Sequence, residues 1–204
     1  GYRIALDARR AGDQLMINHA LLSAGGSEFD FSAKLALDGK RAFSAKSQLR
    51  HFDPSRFGGY PAANINAHAT ANGQLGPQLG ASVMFDLAKS SYRGQSLTGK
   101  GAFKLSEKRI FDSDIALRLG VNRLAVKGAF GAAKDSLDWH LDAPNIAAFG
   151  QGFGGRVTAS GNLAGSLAQP SARFKLQGQT LVWQGSQHLE SISAMGDLQN
   201  GING

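Results

Sequence analysis

The stretch FDFSAKLALDG, residues 29–39, decides the fold class. Phe29, Phe31, Ala33, Leu35 and Leu37 take every odd position, while Asp30, Ser32, Lys34 and Asp38 take even ones, with Ala36 the one break. Successive side chains of a strand point to opposite faces, so this segment reads as a strand with one apolar and one wet face. The question it raises is what covers the apolar face.

The same alternation runs through the chain. NINAHATAN puts Ile65, Ala67, Ala69 and Ala71 opposite Asn64, Asn66, His68, Thr70 and Asn72. ASVMFDL gives Val83, Phe85 and Leu87; DSDIALRLG gives Ile115, Leu117 and Leu119; NRLAVKGAF gives Leu124, Val126 and Phe130. SLDWHLDA sets Leu137, Trp139 and Leu141 against Asp138, His140 and Asp142. SARFKLQGQTLVWQG gives Phe174 and Leu176, then Leu181 and Trp183 beyond an expected glycine turn, and Phe43 and Phe103 share the apolar parity. Persistent period-2 patterning predicts half-buried antiparallel strands, roughly 14 of them at ~8–12 residue spacing.

Composition supports this. The 42% apolar content suffices for a core and excludes a disordered chain, and 27 glycines against 5 prolines suit short strands joined by tight turns. The formal charge of +7 favours acidic partners such as anionic lipid headgroups or nucleic acid, but the Lys and Arg residues are spread out, as on a solvated face. With no cysteine there are no disulfides, thiolate metal sites or cysteine nucleophiles. No run approaches the ~20 apolar residues of a spanning helix, and the first 25 residues do not read as a signal peptide. The ends read as those of a piece of a longer chain.

Two stretches do not alternate: residues 53–63, DPSRFGGYPAA, and 143–155, APNIAAFGQGFGG. Each predicts one helical turn behind a proline. They also mark a weak repeat. LRHFDPSRFG (49–58) lies over LDAPNIAAFG (141–150), and similarity continues over about 49–105 and 141–198. Repetition of strand-only units points to a stack of strands forming a single β domain over 1–204.

Motifs of chemistry are sparse. GQGFGG (150–155) matches G-x-G-x-x-G, but a dinucleotide site needs a helix next, and RVTASGNL has strand periodicity. Asp138, His140 and Asp142 share a polar strand face and could be metal ligands by type. However, i, i+2 neighbours in a strand stand about 7 Å apart, and a solvent-facing row is the simpler reading. There is no G-x-S-x-G, and most phenylalanines share the apolar parity rather than interleaving with basic residues as nucleic-acid binding would need. The expectation is a non-enzyme without metal, cofactor or nucleic acid.

Five segments, taken in order and spacing, resemble the TamB family: ALDARRAGDQLMINHALLSAGG (5–26), FSAKSQLRHFDPSRFGGYPAANINAHATANGQL (43–75), RGQSLTGKGAFKL (93–105), DIALRLGVNRLAVKGAFGAAKDSLDWHLDAPNIAAFG (114–150) and GRVTASGNLAGSLAQPSARFKLQGQTLVW (155–183). The resemblance is to the family's central-to-C-terminal β-repeat region. It implies an all-β fold, an elongated and open rolled antiparallel sheet (a β-taco or trough) with an apolar concave interior. It implies a periplasmic place in Gram-negative bacteria, kinship with AsmA-like and bridge-like lipid-transfer proteins, and phospholipid passing towards the outer membrane. It implies partnership with a TamA-like outer-membrane barrel through regions absent here, and an inner-membrane anchor also absent here. On this reading the apolar parity lines a groove for acyl chains. The expected lining is Phe29, Phe31, Leu35, Leu37, Phe43, Ile65, Val83, Phe85, Leu87, Phe103, Ile115, Leu117, Leu119, Leu124, Val126, Phe130, Leu137, Trp139, Leu141, Phe174, Leu176, Leu181 and Trp183. Alternation alone leaves three rivals open: a closed β-sandwich, a transmembrane barrel, and a chaperone-like module that binds outer-membrane protein strands.

Overall fold

The computed structural model describes residues 1–184 and 186–199. Thirteen strands make up nearly all of it: β1 (Tyr2–Ala11), β2 (Gln14–Ala24), β3 (Ser27–Ala36), β4 (Ala42–Phe52), β5 (Ala63–Gln74), β6 (Gly80–Tyr92), β7 (Gln95–Ser106), β8 (Arg109–Leu119), β9 (Asn122–Phe130), β10 (Ser136–Ala143), β11 (Gly154–Gly165), β12 (Pro170–Trp183) and β13 (Gln187–Leu198). The fold is an all-β open antiparallel sheet whose strand order is the chain order. The chain divides into two compact units, Gly1–Glu107 with β1–β7 and Lys108–Gly204 with β8–β13. Every strand pairs with its sequence neighbours, and β1 and β13 are left as the edge strands.

The turns explain why neighbours pair. Gly25 and Gly26 both have positive φ, +54° and +87°, as do Arg93 and Gly94 at +50° and +78°. Two successive left-handed residues build the hairpin turn whose twist matches that of the flanking strands. The two non-alternating stretches each hold one 3-10 turn, Pro54–Arg56 and Ile146–Phe149. Asp53 caps the first, its Oδ1 accepting from the Ser55 amide at 3.1 Å, and Asn145 caps the second from Ala147 at 3.2 Å.

Only one of the expected strand breaks is missing. Residues 170–183 form one strand, not two either side of a glycine turn. The apolar parity there moves from even (Phe174, Leu176) to odd (Leu181, Trp183) because Thr180 adopts φ +52° and the register to β11 shifts beside it. His51, Lys89 and Asp112 are left-handed in the same way, at φ +47°, +55° and +50°, each at a register shift. These are β-bulges, which cost ladder bonds and sharpen local twist. Serines repair two of them. The Ser90 hydroxyl donates to the Asn66 carbonyl at 3.0 Å and accepts from its amide at 2.8 Å. The Ser27 hydroxyl donates to the His51 carbonyl and accepts from the Asp53 amide. Ser113, beside the Asp112 bulge, is buried with no hydrogen-bond partner for its Oγ among the described residues.

The sealed core is small. The buried apolar residues are Met16, Ala24, Leu137, Ala143, Ala148 and Ala159. The chain exposes 12808 Å², whereas two separate compact domains of half its mass would expose about 11,000 Å² together. The units therefore do not close on themselves as sandwiches do.

Candidate functional site

Residues directly opposite in an antiparallel pair project to the same face, so the register shows what the apolar parity assembles. In the first unit one row runs Leu6, Ala20, Phe31, Ser47, Ala69, Phe85, Gly101. The next runs Ile4, Leu22, Phe29, Leu49, Ala67, Leu87, Gly99. Further rows join Ala33, Ala45, Ala71, Val83 and Phe103, then Leu15, Leu35, Phe43, Gly73, Ala81 and Leu105. Ile65 joins the same face opposite Phe52.

The second unit does the same. Leu117, Leu124, Leu141, Ala159, Leu176 and Ala194 form one row, and Ile115, Val126, Trp139, Gly161, Phe174 and Gly196 the next. Leu137 stands opposite Gly128 and Leu163. Leu119 faces Asn122 at one end, and Phe130 faces Ile110 at the other. Leu181 lies over Gly178, whose added β-carbon would meet Leu181 Cδ1 at 2.7 Å and Ile192 Cγ2 at 2.8 Å. Leu37 is the exception. It lies past the end of β3, in the turn, where its amide donates to the Asp13 carbonyl.

These side chains are neither sealed nor bare. Of the 23 residues expected to line a groove, 20 are half-buried; Leu137 is buried, and Phe174 and Trp183 are exposed by 45% and 38%. A closed core would bury most of them, and a random surface would not gather them into continuous rows. The opposite face carries the charge. Lys34, Ser44, Asn72, Ser82 and Lys104 form one row there, and Asp114, Lys127, Asp138, Asn162, Arg173 and Asp197 another. Asp138, His140 and Asp142 sit on this outer face, and Asp138 accepts from Asn162 Nδ2 at 2.7 Å. Among the described residues, no group of three or more His, Cys, Asp or Glu could hold a metal ion. GQGFGG starts at the C-cap of the second 3-10 turn and runs into β11, so no helix N-terminus follows it.

Both 3-10 turns lie on the apolar side, each at the end of its unit where β4 or β10 finishes. Tyr2 and Phe52 share the apolar parity. Phe57 stacks on Phe52 at 5.1 Å between ring centroids and meets Tyr2 at 5.8 Å, while the Tyr2 hydroxyl donates to the Arg56 carbonyl at 3.0 Å. The loop thus straps β4 back to β1 across the face. Asp53 holds its other end, accepting from the Ala63 amide at 3.2 Å. Its hydrogen bond from Ser55, and then that from Ala63, hold the carboxyl below its ordinary range. In the second unit Asn122, 2% exposed, donates to the Asn145 carbonyl at 2.8 Å and accepts from its amide at 3.0 Å. At the far end Asp135 receives a bidentate pair of bonds from Arg109, both 2.7 Å, and one from the Ala132 amide. Arg109 is the main cause of the lowered Asp135 pKa.

Sequence reading missed three contributors. Ile4, Leu6, Leu15, Ile17 and Leu22 belong to the apolar face, and alternation in YRIALDARRA signals the first two. The glycine partners Gly99, Gly101, Gly161 and Gly196 carry no hydrophobic signal at all. The Asn122–Asn145 clasp joins residues 23 apart through a loop and has no periodic signature.

Compared with known families, residues 2–203 match the family model described as "TamB, N-terminal domain". The chain belongs to the TamB family. The family is one of periplasm-spanning transport and assembly proteins, in keeping with a site made of shape and surface instead of reactive groups. The matched model is that of the family's N-terminal domain, where the resemblance read from the sequence was to its central-to-C-terminal repeats. No curated protein and no solved structure matches the chain. No helix of the described residues is long and apolar enough to cross a membrane.

Proposed function

We propose that this TamB-family chain binds phospholipid acyl chains along its apolar face and passes them through the periplasm between inner and outer membranes, in support of outer-membrane biogenesis. The observation that carries the reading is the exposure pattern: continuous apolar rows left half-buried, with most of the charge on the other face. Acyl chains supply the missing half of that core. Each methylene they bury there is worth about 0.8 kcal/mol, so half a lipid tail contributes several kcal/mol. A face many strands wide suits sliding chains better than one fixed ligand. The TamA-like outer-membrane barrel would engage other regions of a full-length protein, which an inner-membrane anchor would hold in place.

The test is photo-crosslinking from residues 29–36 of β3, one position at a time, in cells. Lipid adducts at Phe29, Phe31, Ala33 and Leu35 and none at Asp30, Ser32 and Lys34 support the conduit. Adducts to outer-membrane protein at the odd positions, without lipid, would support a chaperone-like face instead. That second reading draws on β1, an open edge whose Ile4 and Leu6 are 78% and 68% exposed.

A further inference from the structure

On the apolar face of the second unit, large and small residues alternate from strand to strand. Leu141, Ala159, Leu176 and Ala194 follow one another across β10 to β13, and so do Trp139, Gly161, Phe174 and Gly196. The small positions are occupied in space by their neighbours. A β-carbon on Gly161 would lie 2.6 Å from Trp139 Cε2 and Nε1, as well as 2.6 Å from the Arg173 carbonyl. A β-carbon on Gly196 would clash with the Phe174 ring, to which its three nearest atoms all belong. Each aromatic therefore lies down over the glycine directly opposite it on the next strand, as aromatic side chains cover strand glycines elsewhere.

We propose that these two ring–glycine pairs set the clearance above the second unit's apolar face: lipid binds while Trp139 and Phe174 lie flat on Gly161 and Gly196, and a ring forced upright blocks it. Trp139 and Phe174 are then positioning residues, and the inference rests on the acyl-chain reading above. A flat ring offers its face to a passing chain. An upright ring stands where the chain would lie and also strips the covered backbone of its shield. Each methylene held off the face weakens binding about fourfold, so a ring that displaces between about one and two of them lowers bound lipid roughly tenfold.

Gly196→Ala is the clean perturbation, because the three atoms nearest the added methyl all belong to the Phe174 ring. The chain is purified without detergent, its fold checked by circular dichroism, and its phospholipid counted by mass spectrometry. The expected result is folded Gly196→Ala protein with about a tenth of the wild-type lipid, restored by adding Phe174→Ala. Wild-type lipid load in folded Gly196→Ala, or no restoration in the double variant, overturns the clearance role. An independent measurement covers the case in which Gly196→Ala fails to fold. In Trp183→Phe, Trp139 is the remaining tryptophan. Loading from phosphatidylglycerol vesicles with brominated acyl chains should quench it. Bound lipid counted by mass spectrometry with Trp139 unquenched overturns the proposal. If wild-type protein itself takes up no lipid from cells or vesicles, the acyl-chain reading has failed, and the clearance role falls with it.

Discussion

Phe85→Asp places a carboxylate in the middle of the first unit's apolar face, between Ala69 and Gly101. Phe85 is half-buried, and its flanking partners are too small to enclose it. A phenylalanine buries about 200 Å² when fully covered, so removing it here forfeits about 100 Å², or about 2.5 kcal/mol. The poorer strand propensity of aspartate adds under ~1 kcal/mol. The carboxylate itself reaches water past Ala69 and Gly101, so the several kcal/mol that an unpaired buried charge costs do not apply. The total is about 3 kcal/mol, which corresponds to a melting temperature lowered by roughly 10 °C for a chain of this size. The protein should stay folded and lose its phospholipid, because an acyl chain crossing Phe85 would now meet a hydrated ion. Asp86→Lys is the control. It lies on the outer face opposite His68 and Lys100, and should keep its lipid and cost less than about 1 kcal/mol. Circular dichroism melts and mass spectrometry of organic extracts decide. Unfolding of Phe85→Asp alone would mean that the face is a sealed core; lipid retained by both variants would mean that it is not the path.

Leu117→Asp should behave as Phe85→Asp does, folded but lipid-poor, and Arg118→Asp should keep its lipid, both read in the same extracts. Asn122→Ala leaves the Asn145 amide and carbonyl without their buried partner and should cost about 2–4 kcal/mol in urea unfolding, with loss of amide protection at Ala147. The Asp135 pKa is lowered in the folded state, so its contribution to stability is full above the ordinary aspartate range and is lost as pH falls through the folded value. Wild type should therefore lose more stability than Asp135→Asn between about pH 6 and about pH 3, measured by urea midpoints; equal losses would remove Asp135 from the acid response. Phe57→Ala should release the strap from Tyr2 and Phe52 and speed proteolysis after Arg56, leaving the β-sheet circular dichroism signal unchanged.

The fold is unusually legible because a half-exposed sheet writes itself as alternation. Phe29 to Leu35 predict β3 and its apolar face, and the register then carries that face through Phe85 and Leu87 without a break of parity. Legibility fails where the backbone leaves the ideal pleat. Nothing in QGQT announces that Thr180 will be left-handed, so a parity change inside one strand reads as a turn between two. Leu37 keeps its parity on paper but falls beyond the last ladder bond of β3. The glycines of the face are silent for another reason. Gly101, Gly161 and Gly196 contribute by what they leave room for, and a reading that scores hydrophobic side chains gives such positions no weight. Polar clasps such as Asn122 with Asn145 depend on a loop returning to a strand, which sequence spacing does not encode.

Because strand order follows chain order, nearly every tertiary contact is made with the strand just before or just after. Such a chain has few distant partners to wait for. A growing sheet can be extended one strand at a time from whichever hairpin forms first, without the entropy of closing a long loop. The same arrangement makes length a free variable in evolution. Duplicating one hairpin inserts two strands and widens a unit's face by about 9.6 Å without disturbing any existing pair, save the two neighbours that it parts. A face of any width can then be built by counting hairpins, with no need to redesign a core.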